Sequence, residues 1–76
     1  MPPKSPEHQA LGNAIRTLRR AQGLSQERLA LEAGLDRAYV GTIERGQRNA
    51  TYGTLLKLAA TLGVPLSEVI NLAENH

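Results

Sequence analysis

The segment from Leu24 to Asn49 constrains the fold more than any other part of the chain. Its apolar residues recur at helical spacing on either side of Gly34. Ser25 and Asp36 are each placed to cap the start of a helix, and a glycine at position 34 can adopt the left-handed conformation that ends one. The segment therefore predicts two short amphipathic helices joined by a tight turn, a helix-turn-helix.

Similar start and stop signals recur before and after this segment. Residues 1–5 are predicted to be a flexible tail that ends in Ser5, a helix cap followed by Pro6 at the first helical position. The predicted helices run from Pro6 to about Gln22, from the Ser25 cap to about Ala33, from about Arg37 to Arg45, from about Tyr52 to Leu62, and from near Pro65 to Ala73. No segment has the alternation of a strand. The predicted fold class is all-α, a single five-helix domain over residues 6–74.

Composition argues against several kinds of site. A chain of 76 residues without cysteine has room for one small domain and cannot form a disulfide or a thiolate metal site. His8 and His76 lie near opposite ends, without partners at metal-ligand spacing, and both are expected to be solvated. The first residues lack the apolar core of a signal peptide, and the stretch from Leu55 to Leu66 is too short to span a bilayer. We therefore expect a cytoplasmic protein without a metal, a cofactor, a small-molecule ligand or a membrane partner.

Charge is distributed unevenly along the chain. Eight of the nine lysine and arginine residues, and five of the seven acidic residues, lie within residues 1–48, and the remainder is slightly acidic. Such asymmetry suits a protein with one surface facing a polyanion and another facing a different partner. An ordinary solvated surface could have the same composition, so charge alone leaves both alternatives open.

The outward side of the third helix has the features of a DNA-reading surface. If Val40 and Ile43 face inward, the opposite side offers small residues and arginine, which suits a helix entering a major groove about 12 Å wide. The predicted base-reading residues are Arg37, Ala38, Gly41 and Thr42. Arg37 can donate two hydrogen bonds to a guanine. A glycine inside a helix costs about 1 kcal/mol relative to alanine, so Gly41 indicates either close approach of the backbone to DNA or a local packing requirement.

Residues around this helix are predicted to contact the DNA backbone. Gln26 begins the second helix, where free N–H groups and the helix dipole favour an anion. An exposed polar loop follows the third helix. The full predicted set is Gln26, Tyr39, Arg45, Gln47, Arg48 and Asn49. Tyr39 has an alternative, in which its ring packs where the third helix meets the fourth.

Arg19 and Glu44 are predicted to form a structural salt bridge. Each follows a core residue of its helix, Leu18 or Ile43, and so lies at the margin of a buried face. A carboxylate there would be costly unless a cation and hydrogen bonds offset its desolvation. The pair is therefore expected to fix the first helix against the third.

The fifth helix carries more apolar surface than one small helix is expected to bury. Leu66, Val69 and Ile70 are therefore predicted to form a homodimer interface, and the slightly acidic end of the chain suits a protein partner better than DNA. Such a dimer would place two recognition helices about 34 Å apart, one for each half-site. The alternative is that all three residues complete the core of a single chain.

Several short motifs resemble those of the lambda-repressor-like (Xre-type) helix-turn-helix regulators. They occur in the order and spacing of that family over about residues 10–72: Leu18-Arg19, Gly23-Leu24-Ser25-Gln26-Glu27, Leu29-Ala30, Ala33-Gly34, Ile43-Glu44-Arg45-Gly46 and Leu58-Ala59. Within the family, the segment from Leu35 to Asn49 is most similar to restriction–modification controller proteins. The resemblance implies a five-helix domain that binds near-palindromic double-stranded DNA as a homodimer and regulates transcription, including that of its own operon.

Two other classes of function are weighed against this one. An antitoxin or a protein-binding adaptor could use the same fold. An enzyme is not expected, because Ser5, Ser25 and Ser67 are placed as helix caps, and the sequence has neither paired carboxylates nor a phosphate-binding glycine loop. The sequence thus favours a sequence-specific DNA-binding transcriptional regulator.

Overall fold

The computed structural model describes residues 5–75, which form five α-helices. They are α1 (Pro6–Ala21), α2 (Gln26–Ala33), α3 (Arg37–Glu44), α4 (Tyr52–Leu62) and α5 (Leu66–Glu74). No strand is present over this range, and the all-α prediction is confirmed. Residues 1–4 of the predicted tail, and His76, lie outside the described residues. The predicted cap at Ser5 is confirmed, since its hydroxyl accepts a hydrogen bond from the N–H of His8 at the start of α1.

Side-chain caps set the starts of most helices. The side chains of Ser25, Asp36 and Thr51 accept hydrogen bonds from backbone N–H groups in the first turns of α2, α3 and α4. The glycines that follow α2 and α4 both have a φ of 73°, the left-handed conformation expected after a helix. The start of α5 differs from the prediction, because Pro65 is its N-cap and Ser67 lies within the first turn without capping it.

Every helix contributes apolar residues to one core. Its fully buried members are Ala14, Ile15, Leu29, Ala30, Val40, Ile43, Leu58, Ala59, Leu62 and Val69. α1 packs against α5 and α3, while α2 packs against α3 and α4. Val40 and Ile43 face this core, as predicted, so the amino end of the opposite side of α3 is exposed at Arg37 and Ala38.

The backbones of α1 and α3 approach each other most closely at Gly12. A Cβ atom built on this glycine would lie 2.5 Å from the carbonyl oxygens of both Ile43 and Glu44. Such a distance is far below van der Waals contact, so a side chain at position 12 would force the helices apart. The contact brings Arg16 and Arg19 of α1 beside the end of α3.

Among residues 5–75, no single helix is long and apolar enough to cross a membrane. Only α4 and α5 taken together have the length and composition of a span, and they are bent by 99° relative to each other. Residues 5–75 also contain no group of three or more His, Cys, Asp or Glu side chains that could hold a metal ion.

Gly12→Ala should destabilise the protein, although alanine favours helix. The atoms that the new Cβ would meet belong to the backbone and cannot turn aside, so we expect a loss of about 1–3 kcal/mol in the free energy of unfolding. Gly53→Ala in α4 is the matched control, since only Thr51 Oγ1 lies within 4.0 Å of the added atom. That variant should gain up to about 1 kcal/mol. Urea denaturation followed by circular dichroism measures both, and equal effects would contradict the role of Gly12.

Candidate nucleic-acid interface

The outward side of α3 and the first residue of α2 enclose a shallow concavity of about 230 Å³. Its lining residues are Gln26, Arg37, Ala38, Gly41, Thr42 and Arg45. Four of them are the residues predicted to read bases, and the other two are predicted backbone contacts. The fold therefore places these six residues around one surface, open at the amino end of α3.

Gly41 lies beneath side chains of this concavity. A Cβ atom there would lie 3.2 Å from Nη1 of Arg45 and 3.6 Å from Oε1 of Gln26. Both atoms are at the ends of flexible side chains, in contrast to the backbone atoms that surround Gly12. A ligand could therefore approach the backbone of α3 at Gly41 once these two side chains turn away.

The hydroxyl of Thr42 is used inside its own helix. It donates to the carbonyl oxygen of Tyr39 at 2.7 Å. A threonine side chain carries a hydroxyl and a methyl group, and here the methyl group is therefore the better candidate for contact with a base, for example with the methyl group of thymine.

Gln26 is tied to the end of α3. Its Nε2 donates to Oε1 of Glu44 at 2.9 Å. An amide nitrogen carries two hydrogens, so the second remains available for a phosphate oxygen. The predicted backbone contact is therefore compatible with this hydrogen bond, which also restricts the directions that the amide can take.

Glu44 is the centre of a buried charged network. Its side chain is fully buried, and Arg19 donates to it from Nε at 2.7 Å and from Nη2 at 2.9 Å. The sequence predicted this partner but not the second arginine: Arg16 Nη2 donates to the carbonyl oxygen of Glu44 at 3.2 Å. Arg19 also donates to the carbonyl oxygen of Leu24 at 2.9 Å. The network thus joins α1, the turn that precedes α2, and the end of α3.

The surroundings of Glu44 keep its carboxylate ionised. Burial alone would raise the pKa of Glu44, because it removes water from the charged form. Hydrogen bonds from Arg19 and Gln26, together with the positive charges of Arg19 and Arg16, outweigh burial and hold the pKa below its ordinary value. Folding is therefore linked to the ionisation of this group.

Acid should weaken the fold in part through Glu44. Because its pKa is lowered on folding, its contribution is complete above the unfolded value of about 4.3 and is lost as the pH falls through the folded value. Free energies of unfolding measured from about pH 6 to about pH 3 should fall in the wild type. In Glu44→Gln, stability near neutral pH should be lower by about 3–5 kcal/mol, since Arg19 loses its counter-charge. The gap between the two proteins should narrow in acid.

Gln26→Ala provides a milder variant of the same experiment. It removes one of the hydrogen bonds that lower the pKa of Glu44, so its acid-induced loss of stability should be smaller, and complete at a higher pH, than in the wild type. Glu68→Gln, at an exposed position of α5, is the control. A gap between wild type and Glu44→Gln that stays constant from neutral pH into acid would rule out this linkage.

Two residues of the loop after α3, Gln47 and Asn49, are each hydrogen-bonded to another side chain. Arg45 Nε donates to Oε1 of Gln47 at 3.0 Å, and Nε2 of His8 is hydrogen-bonded to Oδ1 of Asn49. His8 was expected to be solvated; instead it is partly buried and joins the first turn of α1 to this loop. His8 and Asn49 are 41 positions apart, so helical spacing cannot predict their hydrogen bond.

Tyr39 packs between α3 and α4. Its hydroxyl donates to Oγ1 of Thr54 at 3.3 Å, and its ring is partly buried against the core. The guanidinium of Arg48 lies over the ring, 5.2 Å from the centroid. The Tyr39 hydroxyl is thus bonded to α4, in agreement with the alternative prediction that the ring packs where the third helix meets the fourth.

The residues predicted to form a dimer interface differ in their exposure. Val69 is only 2% exposed and belongs to the core of one chain, which corrects the prediction for this residue. It faces the core because α5 packs along α1. Leu66 and Ile70 are partly buried. The large apolar side chains exposed nearby in sequence lie instead on α4, where Tyr52 is 70% and Leu56 is 42% exposed.

Comparison with known proteins identifies the family. The family described as helix-turn-helix matches residues 15–69, more than half of the chain. The chain belongs to this family. The control protein C.MunI from Mycoplasma sp is 43% identical over 66 residues, which cover 86% of this chain and 89% of that protein.

Solved structures agree with this assignment. The restriction-modification controller protein C.AhdI from Aeromonas hydrophila has a TM-score of 0.79 at 51% identity, covering 80% of this chain and 92% of its own. SinR, a master regulator for biofilm formation solved in complex with DNA, has a TM-score of 0.74 at 33% identity, covering 78% and 95%. The protein is therefore a helix-turn-helix transcriptional regulator similar to restriction–modification controllers.

Proposed function

We propose that this regulator binds specific DNA sequences as a homodimer on near-palindromic operators and controls its own operon. The observation that carries the proposal is the concavity on α3, which gathers Arg37, Ala38, Gly41 and Thr42 on the side opposite the core. A slim helix face with one arginine at its amino end suits entry into the major groove.

The residues around this face would position the protein on the DNA backbone. Gln26, at the start of α2, has a second amide hydrogen beyond the one that it donates to Glu44. Arg45 and Arg48 are exposed and supply positive charge beside α3, and the polar loop that contains Gln47 and Asn49 adds neutral donors. Such contacts add affinity without reading sequence.

Residues 6–74 would then act as one cytoplasmic domain for both DNA binding and dimerisation. Neither a cofactor nor a small-molecule ligand is part of the proposal. Regulation would arise from protein concentration, through the equilibrium between monomer and dimer and through occupation of neighbouring sites. The similarity to proteins named control proteins supports a regulatory role.

Arg37→Ala and Arg45→Ala should separate reading from positioning. Each variant is titrated against a duplex that the wild type selects from random DNA, and against an unrelated duplex. Arg37→Ala should lose about 1–3 kcal/mol on the selected duplex and little on the unrelated one, because it removes a base contact. Arg45→Ala should weaken both and lower the salt slope by about one. Absence of any binding by the wild type at low salt would sink the proposed function.

The surface for a second copy would lie on α4 and α5. Tyr52 and Leu56 are one turn apart, and therefore on one side of α4, while Thr54 on another side of that helix contacts α3 through Tyr39. These two exposed apolar residues of α4 are thus directed away from α3. We include Tyr52 and Leu56 with Leu66 and Ile70 in the proposed dimer interface.

Leu56→Glu should shift the protein to monomer, because a carboxylate would be buried without a partner in the interface. Leu31→Glu is the matched control, since Leu31 is 71% exposed but lies on α2. Sedimentation equilibrium over a range of concentrations measures the association of both. If the two variants associate equally, Leu56 has no part in the interface.

The exposed Leu31 also favours the second candidate function, a protein-binding adaptor. It borders a hollow of about 520 Å³ between α2 and the start of α3, which Leu35 and Arg37 also line. A stable complex with the product of a neighbouring gene, together with no DNA binding, would favour the adaptor over the regulator.

A further inference from the structure

Three hydroxyl groups connect the recognition helix to α4. The Tyr39 hydroxyl donates to Oγ1 of Thr54 at 3.3 Å, and the Thr51 hydroxyl donates to the same oxygen at 3.0 Å. The Thr54 N–H in turn donates to Oγ1 of Thr51 at 3.1 Å, which is the cap of α4. The Thr54 hydroxyl therefore lies where α3 and α4 meet, and it accepts from both.

The ring of Tyr39, whose hydroxyl is bonded to Thr54, is also in contact with Arg48. Arg48 is exposed, and its guanidinium lies 5.2 Å from the centroid of the Tyr39 ring. A cation over the face of an aromatic ring is attracted by the negative charge of that face. The ring therefore restricts the directions available to Arg48, and an arginine that is already restricted loses less freedom when it binds.

We propose that Thr54 is a positioning residue of the DNA interface. Its hydroxyl orients the ring of Tyr39, and the ring holds Arg48 beside α3 for a DNA phosphate. The inference rests on the proposed function. In it Tyr39 acts indirectly, because its hydroxyl is bonded to Thr54 and its ring orients Arg48, and Arg48 makes the contact with DNA.

Thr54→Val is suited to test this chain of contacts. Valine has nearly the shape of threonine but cannot accept from the Tyr39 hydroxyl. The cap of α4 is retained, because the bond from the N–H of residue 54 to Oγ1 of Thr51 involves only the backbone of residue 54. Thr54→Ser restores a hydroxyl and is the matched rescue variant.

DNA affinity is measured by fluorescence anisotropy on a labelled duplex selected by the wild type, over a series of KCl concentrations. Thr54→Val should bind about two- to fivefold more weakly, the range that an exposed cation–π contact supplies. Thr54→Ser should bind like the wild type. Arg48→Ala should lower the salt slope by about 0.9, for one lost phosphate contact. In the Arg48→Ala background, Thr54→Val should cause no further loss.

A second measurement on the free protein is independent of DNA. In the wild type, the ring of Tyr39 should shift the NMR signals of the Arg48 side chain upfield, and Thr54→Val should move these signals toward their values in an unfolded chain. The inference is overturned if Thr54→Val leaves the signals and the affinity unchanged, or if it weakens binding equally with and without Arg48. It is also overturned if Thr54→Ser behaves like Thr54→Val. A wild type that binds no DNA, but has the expected Arg48 shifts, contradicts the proposed function and leaves the positioning of Arg48 established.

Discussion

The ion pair between Arg19 and Glu44 determines where α3 lies, and every proposed contact with DNA is made from α3 or from residues beside it. Glu44, at the end of α3, is fully buried and accepts hydrogen bonds from Arg19 of α1 and from Gln26, the first residue of α2. The two helices around the concavity, α2 and α3, are therefore joined through one carboxylate. Replacing a buried ion pair by apolar residues is often neutral for stability. The value of this pair therefore lies in placement: an apolar contact would tolerate a rotation of α3 that a two-point hydrogen bond does not.

Placement by Glu44 also requires that α1 and α3 come close, and Gly12 allows it. A glycine inside a helix indicates a close approach, but the neighbours of Gly41 are the movable ends of Arg45 and Gln26. The same argument fits Gly12 better, because the atoms around it are backbone carbonyls. Gly12 precedes the buried Arg19 by about two helical turns, so the two residues share one side of α1, and this spacing is visible in the sequence. A glycine on the same side of a helix as a buried arginine indicates that the partner helix approaches closely there.

Local signals in the sequence predicted most of the fold, and contacts between distant residues account for what they missed. Caps, glycines and apolar spacing predicted the five helices, and only the capping role expected of Ser67 was wrong, because Pro65 is the N-cap of α5. Val69 was misjudged, since helical spacing shows that a residue belongs to an apolar side but not whether α1 already covers that side. The bonds from His8 to Asn49 and from Tyr39 to Thr54 depend on how helices far apart in sequence are arranged. The predicted base-reading residues depend only on the period of one helix, and the structure places them around one concavity.

The side chains around the concavity differ in how firmly the protein holds them, and this difference suggests a division of labour. Gln26 is held by Glu44, Gln47 by Arg45 and Arg48 by Tyr39, so the groups proposed to meet phosphates are partly ordered before DNA arrives. Phosphates recur at the same spacing in every duplex, and ordered donors therefore suit them whatever the sequence. Arg37, at the exposed amino end of α3, must choose among base edges that differ from site to site. Affinity would thus come from the side chains that the fold holds, whereas discrimination would come from an arginine that orders only against the correct base pair.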